Sequence, residues 1–489
     1  MPVETIDTSS QDGIPAGSDK ERKSPVETTV RASACHVLDE DKPKFSLTTK
    51  VIVLIAGSFC GLNCSVGTSI PSGAYEAISE NFSLTSKMQL VLLNSLNMVG
   101  FILGPLLFGP LSEFIGRRPV MILSYLGFFV FMLACSGAPN YPALLAFRLL
   151  SGINAAAPFS VVGGLYSDIL DDPHKRGQSI AAFMVLNTWG AFAAPLISGF
   201  ASRLSWRWPF WAASIMAAPG IPLVLMLPET YAPVLRKKAH QSSTESCNSE
   251  EAIRTPPRPF DARKIFLRPA ILIASEPILL MSSIYLALAY SILYLIFQVY
   301  PIIFQDMYKL SPSMAGLAYI PLIIGAGLAL PVFFLYSSWY HKSRQNGKQW
   351  AQSEAHRRLP TACAASPCMV IGMFWLGWVS QAGNSPIFAS VGGVFIGFAF
   401  QMIFMSMLNY ITDMFREGSA SAHAAAACLR SICAIIVPFG GPSMYQNLGV
   451  PWASSVLGFL SLFVGIIPFV LLFFGHRVPS HRRDASVST

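Results

Sequence analysis

Charge is scarce in this chain. Only 12% of its 489 residues are Asp, Glu, Lys or Arg, about half the share usual in a soluble globular protein. Length alone would allow about three soluble domains, but the apolar residues run in stretches of about twenty, which a soluble protein does not tolerate. Cysteines placed for a disulfide framework are missing: the nine present fall in apolar runs or in polar stretches expected to face the cytosol. The opening segment, 1–50, is rich in Ser, Thr, Asp and Glu and reads as a disordered cytosolic tail. It lacks the short apolar core and small-residue cleavage site of a signal peptide, so the first apolar run is expected to act as an uncleaved membrane signal. A Gly-x-x-x-x-Gly-Lys-[Ser/Thr] phosphate loop is absent, which argues against ATP as an energy source. The eight histidines are scattered over tails and loops, with only His423 near a span end. His36 and Asp41 match a His-x4-Asp acyltransferase spacing, but in the disordered tail. A membrane enzyme would need such groups gathered at one membrane face, so we expect neither an enzyme nor a cofactor or metal site. A channel is less suited still, since no re-entrant filter-like segment appears.

Long apolar runs are what the chain has. Six lie near Val51–Ala74, Gln89–Gly109, Pro119–Gly137, Ala143–Ser167, Ser179–Ala201 and Pro209–Leu227. Six more lie near Glu276–Tyr300, Met314–Tyr336, Leu359–Ser380, Ile387–Tyr410, Ala420–Gln446 and Trp452–Gly475. The expectation is an all-α membrane protein of twelve transmembrane helices. Its units would be a six-helix bundle over 51–227, a cytosolic linker over 228–275, a second six-helix bundle over 276–475 and a cytosolic tail over 476–489.

The formal charge of +8 could suggest a nucleic-acid partner, but the basic residues sit between apolar runs. All but six of the 34 Lys and Arg fall in the tails and the even-to-odd connections. The exceptions are Arg148 and Arg430 within runs, and Lys87, Arg203, Arg207 and Lys309 in the remaining loops. Positive charge collects on the cytosolic side, so both termini are expected there. The halves also look related. Pro195 and Gly199 precede Pro209-Phe210-Trp211-Ala212-Ala213-Ser214, and Pro438 and Gly441 precede Pro451-Trp452-Ala453-Ser454-Ser455 at nearly the same spacing. Repeated halves place a solute site between them at mid-membrane.

Several segments carry chemistry. After the second run stands Gly109-Pro110-Leu111-Ser112-Glu113-Phe114-Ile115-Gly116-Arg117-Arg118-Pro119, in which two glycines permit a tight turn beside an acid and two arginines. By itself this could be a positively charged turn and no more. The fourth run contains Arg148, ahead of Ser151-Gly152-Ile153-Asn154, and ends Tyr166-Ser167-Asp168. A charge inside a span is costly unless paired or hydrated, so it normally faces the bundle interior; Arg148 lies about two turns from the run's end and could instead snorkel. The fifth run holds Gly190, Pro195 and Gly199, small or kinking residues that allow close helix approach. Arg430 lies about 15 Å into the eleventh run at helical rise, near the bilayer centre, and Asn187 occupies the equivalent place when Pro195 is set against Pro438. Arg430 suits a solute cavity; a purely structural pairing with backbone carbonyls is the alternative. Asn63 and Ser65 in the first run and Tyr285, Tyr290, Tyr294 and Gln298 in the seventh suit an amphipathic organic solute, and ordinary packing explains each equally well.

Taken together, these segments resemble the major facilitator superfamily, and more narrowly the fungal members of its twelve-span drug:proton antiporter family. The loop resembles the signature Gly-x-x-x-Asp-Arg-x-Gly-Arg-Arg, with Glu113 for the Asp and Phe114 for the first Arg. The resemblance implies that Gly109, Glu113, Gly116, Arg117 and Arg118 form a conformational latch. It links Arg148 to proton coupling, and it matches Gly190, Pro195 and Gly199 to an antiporter signature in which Ala194 and Ser198 replace glycines. Pro228-Glu229-Thr230-Tyr231-Ala232-Pro233, Asn409-Tyr410-Ile411-Thr412-Asp413 and, loosely, Arg358-Leu359-Pro360 are further landmarks. The implied function is secondary transport, most simply proton-coupled export of a small organic metabolite across the plasma membrane by a monomer. Broad-specificity drug export and uptake symport by the same fold are the alternatives. The charged residues placed within the runs are positive, which fits an organic acid or an oxygen-rich secondary metabolite better than a polycation.

Overall fold

A computed structural model describes residues 45–84, 86–235, 271–353, 355–380, 384–415 and 419–474. Residues 1–44 of the expected tail, residues 236–270 of the expected linker and the C-terminal tail lie outside the described residues, as do Cys35 and Cys247. Within them the secondary structure is helical. Eleven helices are long and apolar enough to cross a membrane: α1 Leu47–Gly73, α2 Met88–Ser112, α3 Arg117–Ser136, α4 Tyr141–Ile169, α5 His174–Ala201, α6 Trp208–Leu225, α7 Pro277–Met307, α8 Pro312–Gln345, α9 Ala355–Val379, α10 Pro386–Met414 and α11 Ala422–Phe474. A straight helix as long as α11 would measure about 80 Å, more than twice the hydrocarbon core. It is not straight. Gly449 has φ 75° and ψ 165°, so α11 is two helices meeting at a kink, and the twelfth apolar run lies beyond that kink.

The helix starts follow local chemistry more than hydropathy. Helix α1 begins at Leu47, ahead of the apolar run at Val51, because the Ser46 hydroxyl accepts the Thr49 N–H at 3.2 Å. Asn140 caps α4 through the Ala143 N–H at 2.9 Å, and Asp172 caps α5 through the His174 N–H at 2.9 Å. Prolines inside α2, α5, α8, α9 and α11 are accommodated within the bundle.

The packing repeats. In the first half α1 packs on α5, α2 on α4, and α3 on α4 and α6; in the second, α7 packs on α11, α8 on α10, and α9 on α10 and the end of α11. First-to-fifth, second-to-fourth and third-to-sixth neighbours therefore recur, as a pseudo-repeat requires. The second-to-fourth contact is close in both halves: a Cβ at Gly100 would sit 2.4 Å from the Gly152 carbonyl carbon, and one at Gly397 would sit 2.2 Å from the Leu322 oxygen. Small residues let these backbones touch. The halves meet where α2 faces α11 and where α5 faces α8 and α10. Leu107, Leu123, Ile215 and Phe463 are exposed on the outer surface, as a lipid-facing wall would be.

Candidate functional site

A cleft opens between the two halves. From the first come Ser65 and Thr68 on α1, Phe101 on α2, Phe159 on α4, and Asn187, Thr188 and Ala191 on α5; from the second come Tyr290, Leu293 and Tyr294 on α7, and Phe400 and Phe404 on α10. Helical spacing sets this lining: Tyr290 and Tyr294, like Phe400 and Phe404, are one turn apart and share a face. The rings of Tyr290, Phe400 and Phe404 are nearly parallel, with centroids 5.6 to 6.2 Å apart and interplanar angles of 12°, 18° and 29°. Behind two of them lies Arg430, its guanidinium carbon 5.1 Å from the Tyr290 ring centroid and 5.2 Å from that of Phe404. Cation–π contact offsets part of the cost of burying this charge. Its Nε has no hydrogen-bond partner, and neither amide atom of buried Asn187 has one.

Of the expected binding residues, Asn187, Tyr290 and Tyr294 line the cleft, Arg430 lies directly behind its rings, and Arg148, Asn63 and Gln298 lie outside the lining. Arg148 is fully buried where α4 meets α1 and α2. Its Nη1 donates to the Gly67 carbonyl at 2.5 Å, Nη2 to Thr68 at 2.6 Å and Nε to Leu93 at 3.1 Å. Asn63 is buried on α1 and donates to the Phe59 carbonyl at 2.9 Å, outside the cleft lining. Gln298 is buried one turn beyond Tyr294, also outside the lining. Gly190 holds α5 against α1, where its Cβ would lie 2.4 Å from the Leu62 oxygen. Gly199 holds α5 against α8, where its Cβ would lie 2.5 Å from the Pro312 oxygen. Pro195 lies inside α5, and its carbonyl abuts Gly73.

The loop between α2 and α3 forms a polar cluster at one end of the bundle. Gly116 adopts φ 112°, and a Cβ there would meet the Glu229 carboxylate at 2.4 Å. That carboxylate accepts the Arg117 N–H at 2.9 Å and the Arg118 N–H at 3.3 Å, capping α3 from the far end of its own half. The Arg117 side chain reaches Asp168 Oδ2 at 3.4 Å and Ser112 Oγ at 2.7 Å, and Arg118 donates to the Leu225 carbonyl at 3.2 Å. The Glu113 side chain lies outside the described residues. At Gly109 nothing approaches the Cβ position within 4 Å. The second half repeats the ion pair: Arg358 at the start of α9 meets Asp413 at the end of α10 at 3.0 Å.

Sequence reasoning missed the aromatic wall of Phe101, Phe159, Phe400 and Phe404, because a phenylalanine in an apolar run looks the same facing lipid or cleft. It also missed Thr188 and Gln401. Gln401 did carry a signal, being the one amide in the middle of an otherwise apolar run. The capping role of Glu229 had no signal, because its partners are more than a hundred residues away.

The model of the Major Facilitator Superfamily matches residues 57–438. An MFS-type transporter of Aspergillus candidus is 33% identical over 85% of this chain and 83% of its own length. A citrinin biosynthesis cluster MFS transporter of Monascus ruber is 32% identical over 89% of this chain and 88% of its own. An efflux pump of Gibberella fujikuroi is 32% identical over 78% of this chain and 68% of its own. Among solved structures, a partially occluded inward-open xylose transporter of E. coli shares the fold with a TM-score of 0.63 and 17% identity, covering 89% of this chain and 99% of its own. A repeated helical bundle enclosing a cleft between its halves, matched along most of its length by transporters and efflux pumps, places the chain in the Major Facilitator Superfamily as a membrane transporter and not an enzyme.

Proposed function

We propose that this transporter is a proton-driven exporter of a small organic metabolite, an organic acid or an acidic, oxygen-rich secondary metabolite. It would act as a monomer in the plasma membrane, with two six-helix halves, 51–227 and 276–475, rocking about the cleft and both termini in the cytosol. One observation carries the choice of solute. Arg430 is a buried cation directly behind the Tyr290 and Phe404 rings of the cleft wall, with an unpartnered Nε, and among the described residues the carboxylates within spans, Asp168, Asp306 and Asp413, all lie at span ends. A cationic solute would therefore meet a like charge with no carboxylate to receive it, while an anion would complete the guanidinium. The curated relatives support export, since their names include efflux pumps and a biosynthesis-cluster transporter. Proton drive rests on the family resemblance and on the lack of a phosphate loop.

Flux from energised vesicles, using one carboxylate and one neutral compound that the wild type exports, tests the reading. Arg430→Lys keeps the charge but loses the forked geometry, so partial carboxylate flux is expected. Arg430→Gln should abolish carboxylate flux and leave the neutral compound within about threefold. Equal loss of both compounds would make Arg430 part of the coupling or structural machinery, and the preference for anions would go with it.

A further inference from the structure

We infer that Gln401 is a specificity-determining residue whose side-chain amide, set by Thr188, donates a hydrogen bond to an acceptor oxygen of the transported solute. The inference rests on the reading of the cleft as the solute site. Gln401 is fully buried in the middle of α10, just behind the cleft lining, where its side chain meets the lining residue Thr188. Across the seam, the Thr188 hydroxyl lies 2.6 Å from Gln401 Oε1 and 3.0 Å from the Met184 carbonyl of its own helix. A separation of 2.6 Å suits O–H···O and is short for N–H···O. The threonine proton therefore points at Oε1, which fixes which end of the amide is which. The other end, Nε2, is buried without a partner.

A hydrogen bond serving only to hold α5 against α10 would leave no reason to strand a donor in a low-dielectric seam, where an unmade bond is expensive. Next to Thr188, Asn187 is buried with both amide atoms equally unpartnered. One half thus offers an amide at Asn187, and the other offers the Gln401 NH2. Thr188 also makes the arrangement reversible. When the halves part, its hydroxyl can turn to the Met184 carbonyl, so the α5 side is left with no orphan donor. Gln401 has no such fallback, and its amide gains most from the solute.

Salicylate and salicylamide, a flat anion and its neutral amide, are suitable probes in reconstituted vesicles, with KM and kcat measured separately. Gln401→Met, of similar length and volume, should raise KM for salicylate about tenfold or more with kcat within about twofold. Gln401→Glu, which replaces the donor by an anion, should raise it further. Thr188→Val should raise KM severalfold by freeing the amide to rotate, and Thr188→Ser should restore it. Unchanged KM in Gln401→Met and Gln401→Glu, with the loss confined to kcat or to the amount of folded protein, would show a structural bond and overturn the inference. Asn187→Leu and Arg430→Lys, which keeps partial carboxylate flux, serve as the control. If they raise KM while the Gln401 variants do not, this inference alone falls; if all four leave it unchanged, the cleft reading falls as well. Wild-type protein that moves neither probe would count against recognition of an acceptor oxygen.

Discussion

The two intramembrane arginines occupy opposite electrostatic situations. Arg148 is wholly enclosed and directs three nitrogens at three backbone carbonyls, those of Gly67, Thr68 and Leu93. Arg430 rests on two ring faces with Nε unpartnered. A desolvated guanidinium must be compensated; Arg148 already is, by fixed partners that also tie α4 to α1 and α2. Arg148→Lys should therefore lower the thermal midpoint of the purified protein, because one ammonium cannot reach three carbonyls placed for a planar fork. A midpoint equal to wild type with flux lost would instead assign Arg148 to coupling. The sequence exposed both arginines as buried charges but could not separate them, since the difference lies in which carbonyls of distant helices come within reach. Asn187 was legible through its register with Pro195. The phenylalanines opposite it were not, because apolar runs do not reveal which face looks inward.

At the scale of the helices, the same device stands at the same place in each half. Arg117 opens α3 and meets Asp168 at the end of α4; Arg358 opens α9 and meets Asp413 at the end of α10. Each pair ties the third helix of its half to the fourth near one end of the bundle. Part-buried pairs sharing one network are not independent, so Arg117→Ala and Asp168→Ala should be markedly non-additive in flux, whereas Arg117→Ala and Arg358→Ala should combine almost independently. Additivity within the first pair would remove the network reading of this cluster. The helices themselves were largely legible, their positions following the apolar runs and their starts shifted by caps such as Ser46. The division at Gly449 was legible too, because two runs are separated there by a short polar stretch around Gln446.

For the whole molecule, the proposed orientation rests on charge. With nearly all Lys and Arg outside the spans on one side, tags at Met1 and Thr489 should both resist external protease in intact cells; cleavage of just one would mean an odd number of crossings and end the two-half proposal. The α5–α8 seam then shows what must move. Near one end Gly199 lies against Pro312, and its carbonyl accepts from Ser313 Oγ at 2.8 Å. Midway, the Trp189 indole donates to the Ile323 carbonyl at 3.0 Å. At the other end His174 and His341 stack with centroids 5.5 Å apart. Both ends of this seam touch in one structure, so a carrier that exposes its cleft to each side in turn must break one end contact at a time. The Gly199 end has no spare room, since even a Cβ would lie 2.5 Å from the Pro312 oxygen, and in the proposed orientation it faces outside. Gly199→Val should therefore insert normally but hold the outer ends of α5 and α8 apart, stopping flux. Hydrogen exchange should be faster at those two ends and unchanged near His174 and His341. Wild-type flux and exchange in Gly199→Val would mean that this end need not close, and the rocking seam would have to lie where α2 meets α11.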